Sequence, residues 1–229
     1  MHYSWLLFDA DGTLFDFDLS AANSLELTFR ELGVPFREEY RGIYEKINLA
    51  AWRRFEAGEL TQDELRTSRF REFLESLRLD GDPTAFGRVY LSTLSEQRDL
   101  MPGAEKTLAE LKTNANMAII TNGIAEVQRS RFSRSPILRH FSDVVISEEV
   151  GAAKPDAKIF DAAFDRMGAP DKSKVLMIGD SWNSDIRGGV NYGLDTCWFN
   201  PSGRERPDDL SIRFEVRSLP ELVVLLSST

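Results

Sequence analysis

Cysteine is almost absent from this 229-residue chain. Cys197 is the only one, so no intramolecular disulfide framework can form, and a reducing cytoplasm is the expected location. Long apolar runs are missing too. The longest, residues 222–226, has five residues, whereas a membrane-spanning helix needs about 20, so no span is expected. Met1-His2-Tyr3-Ser4-Trp5 has neither the basic nor the apolar region of a secretory signal. Positive charge is in the minority: 28 Lys and Arg stand against 37 Asp and Glu, a net charge of −9. That excess opposes broad binding to nucleic acid polymers. It is compatible with a small anionic substrate if a metal or a local lysine neutralises it. Histidine is scarce, and His2 and His140 lack metal-ligand spacing, so both read as structural.

What remains is an ordinary folded composition, 42% hydrophobic and 28% charged, which argues against disorder. Short apolar runs recur at 5–8, 117–120, 144–146, 175–178 and 196–199, with helical patterns at 104–111, 159–167 and 185–192 between the later ones. Buried strands alternating with helices predict a parallel α/β sheet covered on both faces. Residues 17–97 read differently. Helical patterns near 20–32, 37–57, 61–78 and 84–98 are broken at Gly33-Val34-Pro35 and Asp80-Gly81-Asp82-Pro83, and no strand intervenes. Thr61 and Glu64 have the spacing of a capping box. The expected organisation is a Rossmann-like α/β core from residues 1–16 and 98–229, with an all-α insert at 17–97. The polar stretch 200–209 reads as a loop before a last strand and a C-terminal helix, and Cys197 as buried in a strand.

The chemistry concentrates in Asp9-Ala10-Asp11-Gly12-Thr13-Leu14. Two aspartates spaced i, i+2 at the end of a buried strand sit where open α/β sheets place their sites. Two carboxylates that close repel unless a cation lies between them, and magnesium suits hard oxygen ligands. Read alone, the pair is equally compatible with a solvated turn. Three further segments occur in order: Thr121-Asn122 after the run 117–120, Lys154-Pro155 before a helix with Pro155 as its preorganised first residue, and Gly179-Asp180-Ser181-Trp182-Asn183-Ser184-Asp185 after the run 175–178.

Together these segments resemble the four motifs of the haloacid dehalogenase-like superfamily, mainly magnesium-dependent phosphohydrolases that work through an aspartyl-phosphate. The resemblance implies Asp9 as nucleophile and Asp11 as general acid/base. It assigns Thr121, Asn122 and Lys154 to the phosphoryl group, with Lys154 also catalytic. Asp9, Asp11 (through its carbonyl) and Asp180 would hold Mg2+, with Mn2+ able to substitute, and Asp185 would support the metal water or Lys154. A carboxylate at Asp11 favours phosphoryl transfer over dehalogenation. The insert corresponds to a helical cap that selects the leaving group. Core segments, including Val145-Ile146-Ser147-Glu148-Glu149-Val150-Gly151, together with Asn48-Leu49-Ala50-Ala51-Trp52 of the insert, are similar to the pyrimidine 5′-nucleotidase branch. The implied substrate is a small phosphorylated metabolite, a nucleoside monophosphate, for a monomer or homodimer with no nucleic acid polymer or membrane partner. A phosphoglycolate-type or sugar-phosphate phosphatase, and a catalytically silent binding module of the same fold, are the competing readings. Trp52, Phe55 and Phe70 read as insert core more readily than as a stacking platform for a base, and Arg69 either meets a substrate hydroxyl or carbonyl or simply faces water.

Overall fold

The computed structural model describes residues 2–208 and 210–227. It divides into two compact units: one holds the chain up to Phe17 and from Arg98 onward, the other Asp18–Gln97. The boundary falls one residue later than expected, because Phe17 stays with the sheet-bearing unit.

The chain opens with strand β1 (Trp5–Phe8). Helices α1 (Phe17–Glu31), α2 (Glu39–Glu56), α3 (Gln62–Leu77) and α4 (Pro83–Glu96) follow. The Thr61 hydroxyl accepts from the Glu64 N–H at 3.3 Å while the Glu64 carboxylate accepts from the Thr61 N–H at 2.8 Å, so the expected capping box starts α3. Asp82 caps α4, and Pro83 opens it. The core of this helical unit is aromatic: Phe29, Tyr40, Tyr44, Phe70, Phe73, Phe86 and Tyr90 are all buried. Each such ring removed from water contributes about 1.5–3 kcal/mol. Gly87 admits the Phe70 ring, which a Cβ there would meet at 2.7 Å.

The remainder runs α5 (Ala104–Leu111), β2 (Asn116–Thr121), α6 (Ala125–Arg134), β3 (Asp143–Ile146), α7 (Ser147–Val150), α8 (Ala157–Arg166), β4 (Val175–Gly179), α9 (Gly188–Tyr192), β5 (Asp195–Phe199), β6 (Phe214–Val216) and α10 (Leu219–Ser227). The six strands form one sheet in the order β3-β2-β1-β4-β5-β6, with every pair parallel. Alternation along the strands sends Leu6, Phe8, Met117, Ile119, Leu176 and Ile178 to a cluster with α5 and α10, and Leu7, Ala118, Ile120 and Met177 to a cluster with α8. Burial on both faces explains why these strands read as continuous apolar runs. β1 is central, and the direction of winding reverses at it. Such a switch point opens a crevice at the carboxyl ends of the strands.

Two local details differ from the sequence expectation. The segment expected as one helix at 185–192 begins as a π-helical turn, Trp182–Arg187, in which the Ile186 N–H reaches back to the Ser181 carbonyl at 3.2 Å. Single wide turns of this kind re-aim a side chain, here Asp185, which is fully buried. Pro155 was expected to open a helix. Instead the Asp156 carboxylate accepts from the Lys158 N–H at 3.0 Å and caps α8, which leaves Pro155 ahead of the helix, after a cis Lys154–Pro155 peptide. Finally, the two chain crossings into the helical unit meet. The Asp16 N–H donates to the Asp99 carbonyl at 2.9 Å, the Met101 N–H donates to the Leu14 carbonyl at 2.9 Å, and Phe15 bridges Leu100 in antiparallel fashion.

Candidate active site

Asp9 follows the last residue of β1, its N–H held by the Ile178 carbonyl of β4 at 2.9 Å. Lys154 lies beside it, fully buried, and a buried ammonium requires acceptors on every side. It donates to Asp9 Oδ1 at 2.7 Å, to Asp185 Oδ1 at 2.6 Å and to the Ile120 carbonyl at 2.8 Å. Burial alone would pull the Lys154 ammonium down, but the Asp185 and Asp9 carboxylates push it above its ordinary range, so it stays charged. Asp185 Oδ2 in turn accepts from the Ser181 N–H at 2.9 Å, so both of its oxygens are engaged. Gly179 makes this approach feasible, since a Cβ there would fall on the Asp185 carboxylate.

Asp180 completes an acidic trio. One oxygen each from Asp9, Asp180 and Asp185 lies within 4.8 Å of the other two. Burial pushes the Asp9 carboxyl well above its usual range; Lys154 opposes this, while Asp185 and Asp180 add to it. Asp180 keeps 27% of its side chain accessible. Even so, burial first and the charge of Asp185 next push it up to about 7, against the pull of Arg204 and Lys154. Three carboxylates opposed by one buried ammonium carry excess negative charge, and the donor set is hard oxygen, so the cluster fits a magnesium ion. Asp9 and Asp180 are the ligands this geometry offers; Asp185 is already spent on Lys154 and Ser181.

Asp11 lies outside this trio and has partners of its own. Its carboxylate accepts from Gln128 Nε2 at 2.5 Å and pairs with Arg131 Nη1. Arg131 is fully buried, and its guanidinium lies over the Phe15 ring at 4.1 Å. Gln128 also donates to Thr121 Oγ1 at 3.1 Å, linking the ends of β1 and β2. A Cβ on Gly123 would collide with the Gln128 side chain. Gly12 is required twice over. It adopts φ +86°, and a Cβ there would meet Asp180 Oδ1 at 2.8 Å. The adjacent Thr13 hydroxyl accepts from the Asp180 N–H at 3.1 Å.

The structure therefore brings together Asp9, Asp11, Thr121, Asn122, Lys154, Asp180 and Asp185, the residues singled out in the sequence. Asn122 has an unanticipated task. Its Oδ1 accepts from the Lys154 N–H at 2.7 Å and its Nδ2 donates to the Lys154 carbonyl at 2.9 Å. This two-bond clasp fixes the backbone of the lysine, so the amide is not directed at a phosphoryl group. Gln128, Arg131 and Arg204 were not anticipated at all. Arg204 donates to the Asp180 carbonyl at 2.7 Å, and Trp198 Nε1 donates to the same oxygen at 3.0 Å. Spacing i, i+3 immediately after Thr121-Asn122 was the available signal for Gln128 and Arg131. His140 and Cys197 are buried, and burial raises the Cys197 thiol above its ordinary range. In the helical unit Phe70 is core, as expected, whereas Arg69 is buried rather than water-facing.

The family described as haloacid dehalogenase-like hydrolase matches residues 3–193. The chain is 40% identical over 226 residues to the pyrimidine 5′-nucleotidase YjjG of Escherichia coli (strain K12), covering 99% of each. It is 33% identical over 224 residues to the pyrimidine 5′-nucleotidase PynA of Streptococcus pneumoniae, covering 97% of this chain and 94% of that protein. Among solved structures, the magnesium-bound HAD-hydrolase YfnB from Bacillus subtilis superposes with a TM-score of 0.92 at 34% identity, covering 98% of this chain and 99% of the other.

Proposed function

The chain belongs to the haloacid dehalogenase-like hydrolase family, and on that premise we propose that it is a magnesium-dependent phosphomonoester hydrolase that removes phosphate from pyrimidine nucleoside 5′-monophosphates. The observation that carries the reaction class is the buried Lys154 ammonium bonded to both Asp9 and Asp185, with the Asp11 carboxylate two residues along the chain. Full-length likeness to two pyrimidine 5′-nucleotidases supports the substrate class.

In this reading an ionised Asp9 oxygen attacks phosphorus in line, forming an aspartyl-phosphate as the bond to the leaving alkoxide breaks. Lys154 keeps that carboxylate anionic and supplies positive charge where the equatorial oxygens develop theirs. Asp11, as the general acid, gives a proton to the alkoxide, which departs as the nucleoside. The resulting Asp11 carboxylate then takes a proton from water, and the hydroxide attacks phosphorus. Inorganic phosphate leaves, Asp9 is regenerated and Asp11 is again protonated. Magnesium, which Asp9, Asp180 and the Asp11 carbonyl would hold, supplies charge that lets an anionic phosphoryl group approach these carboxylates; manganese suits the same oxygen set. Thr121 contributes its hydroxyl to the phosphoryl oxygens and Asn122 its backbone N–H, because the Asn122 amide is bonded to Lys154. Leaving-group choice belongs to the helical unit, since chemistry at phosphorus treats phosphomonoesters alike. The cytoplasm, where such metabolites occur, is the matching location.

The test is phosphate release from UMP, dUMP, dTMP, phosphoglycolate and hexose phosphates with magnesium. The reading requires kcat/KM for a pyrimidine monophosphate to exceed the others by at least about tenfold, or about 1.4 kcal/mol in transition-state binding. A higher value for phosphoglycolate than for every pyrimidine monophosphate moves the protein to the phosphoglycolate class. No phosphate release from any of them refutes the reaction itself.

A further inference from the structure

Among the described residues, three cationic side chains are buried: Lys154, Arg131 and Arg69. Lys154 is answered by Asp9 and Asp185, and Arg131 by Asp11. Arg69, in α3 of the helical unit, has only 2% of its surface accessible, and its Nε has no hydrogen-bond partner. No carboxylate or carbonyl among the described residues accepts from its guanidinium. Its partners are ring faces, Phe70 at 4.8 Å and Trp52 at 5.8 Å. Trp52 is half-buried and packs edge-on against Phe55 at 5.7 Å.

Ring quadrupoles offset only part of the cost of desolvating a guanidinium, and its buried Nε–H still lacks an acceptor. A methionine or leucine would fill this position at lower cost. A bound ligand would supply the missing acceptor. It must be flat enough to lie beside an indole and must offer oxygen to a guanidinium. Uracil, thymine and cytosine all carry a carbonyl at C2, beside the sugar; adenine carries none, and guanine carries its only one at C6, on the far side of a larger ring. We propose that Arg69, beside Trp52, is the specificity residue that recognises a pyrimidine base by donating to its ring carbonyl. The proposal rests on the nucleotidase reading above and deepens it.

The experiment is a cycle between residue and base. kcat/KM is measured with magnesium for UMP and for ribose 5-phosphate, which keeps the sugar and lacks the base, in the full-length wild type and in Arg69→Met. In the wild type the base should be worth at least about tenfold. In Arg69→Met that advantage should shrink to about twofold or less, the scale of one lost hydrogen bond to a charged group. The melting temperature should stay the same or rise, because a buried charge without an acceptor has been removed. Arg69→Lys, which keeps the charge but loses the planar fork, should also lose the advantage, and it carries the same test if Arg69→Met does not fold. If the variants keep the base advantage, or if both substrates and the melting temperature fall together, Arg69 is structural and the proposal is overturned. A larger loss on phosphoglycolate than on UMP overturns it too, since the acceptor is then a carboxylate. A wild type that gains nothing from the base refutes the nucleotidase reading itself, before any variant is made.

Discussion

Replacing Arg131 with methionine separates the function of Asp11 from the rest of the site. The side chain is fully buried and paired with one oxygen of Asp11, while Gln128 holds the other at 2.5 Å. Methionine keeps most of the volume over the Phe15 ring and removes only the charged partner. A hydrogen bond to a charged group contributes about 1.5–3 kcal/mol, so a misplaced Asp11 should slow proton delivery roughly 10- to 150-fold. The loss must depend on the leaving group. A nucleoside departs as a poor alkoxide that needs its proton, whereas para-nitrophenolate departs without one. The value of kcat/KM, which covers the steps up to departure of the leaving group and leaves out the water attack common to both substrates, should therefore fall at least about tenfold further for UMP than for para-nitrophenyl phosphate, the gap expected of a lost general acid. Losing one partner of a half-buried pair also costs about 1 kcal/mol of stability, since 24% of the Asp11 side chain remains accessible to water. Equal losses on the two substrates would refute the assignment of Asp11 as the proton donor positioned by Arg131.

Asp9→Asn should fold normally and lose turnover by several powers of ten, because an amide cannot attack phosphorus; purified variant retaining more than about a tenth of wild-type phosphate release would exclude Asp9 as the nucleophile. EDTA should abolish activity. Independently of turnover, saturating magnesium should raise the melting temperature by roughly 5–10 °C in a thermal scan, from about 2.7 kcal/mol of linkage at a hundredfold excess over Kd; an unchanged melting curve would count against the acidic trio as a cation site. Gly12→Ala forces a left-handed backbone on alanine and places a methyl 2.8 Å from Asp180 Oδ1. It should cost about 1 kcal/mol in urea unfolding and weaken the magnesium response more than the overall fold; wild-type magnesium dependence in that variant would show that Asp180 is not placed by this contact.

The strands were legible because burial on both faces leaves a short apolar signature, and the insert because its helices carry breakers and a capping box where the chain turns. The carboxylates were legible because each follows such a strand. α6 was not, for a physical reason: it turns Gln128 and Arg131 inward together with Val127 and Phe132. A helix that buries polar groups to serve a site loses the periodicity that would announce it. Sequence left Arg69 open between a substrate contact and a water-facing position, since an arginine on an amphipathic helix ordinarily faces water; its burial excludes the second. Asn122 was found at the right place with a different task, because type and position cannot show that Lys154 offers both its N–H and its carbonyl to the amide. Arg204 sits in a polar loop with no pattern to distinguish it.

The neck where the chain leaves and rejoins the sheet-bearing unit has a consequence for how such a protein can diversify. Asp16 and Asp99 are joined by a backbone hydrogen bond, so the insert begins and ends at one point. Closing a flexible loop of about 80 residues costs roughly 4 kcal/mol beyond a constant term, and the cost changes by only about 0.6 kcal/mol for each doubling of length. The hydrogen bonds and the Phe15–Leu100 bridge of the neck offset part of that penalty, whatever the intervening segment contains. The registers that place Asp9, Thr121 and Asp180 at neighbouring strand tips are set entirely on the other side of the neck. Lengthening, shortening or exchanging the helices thus leaves the geometry of these strand tips inherited unchanged, as interchangeable heads share one handle.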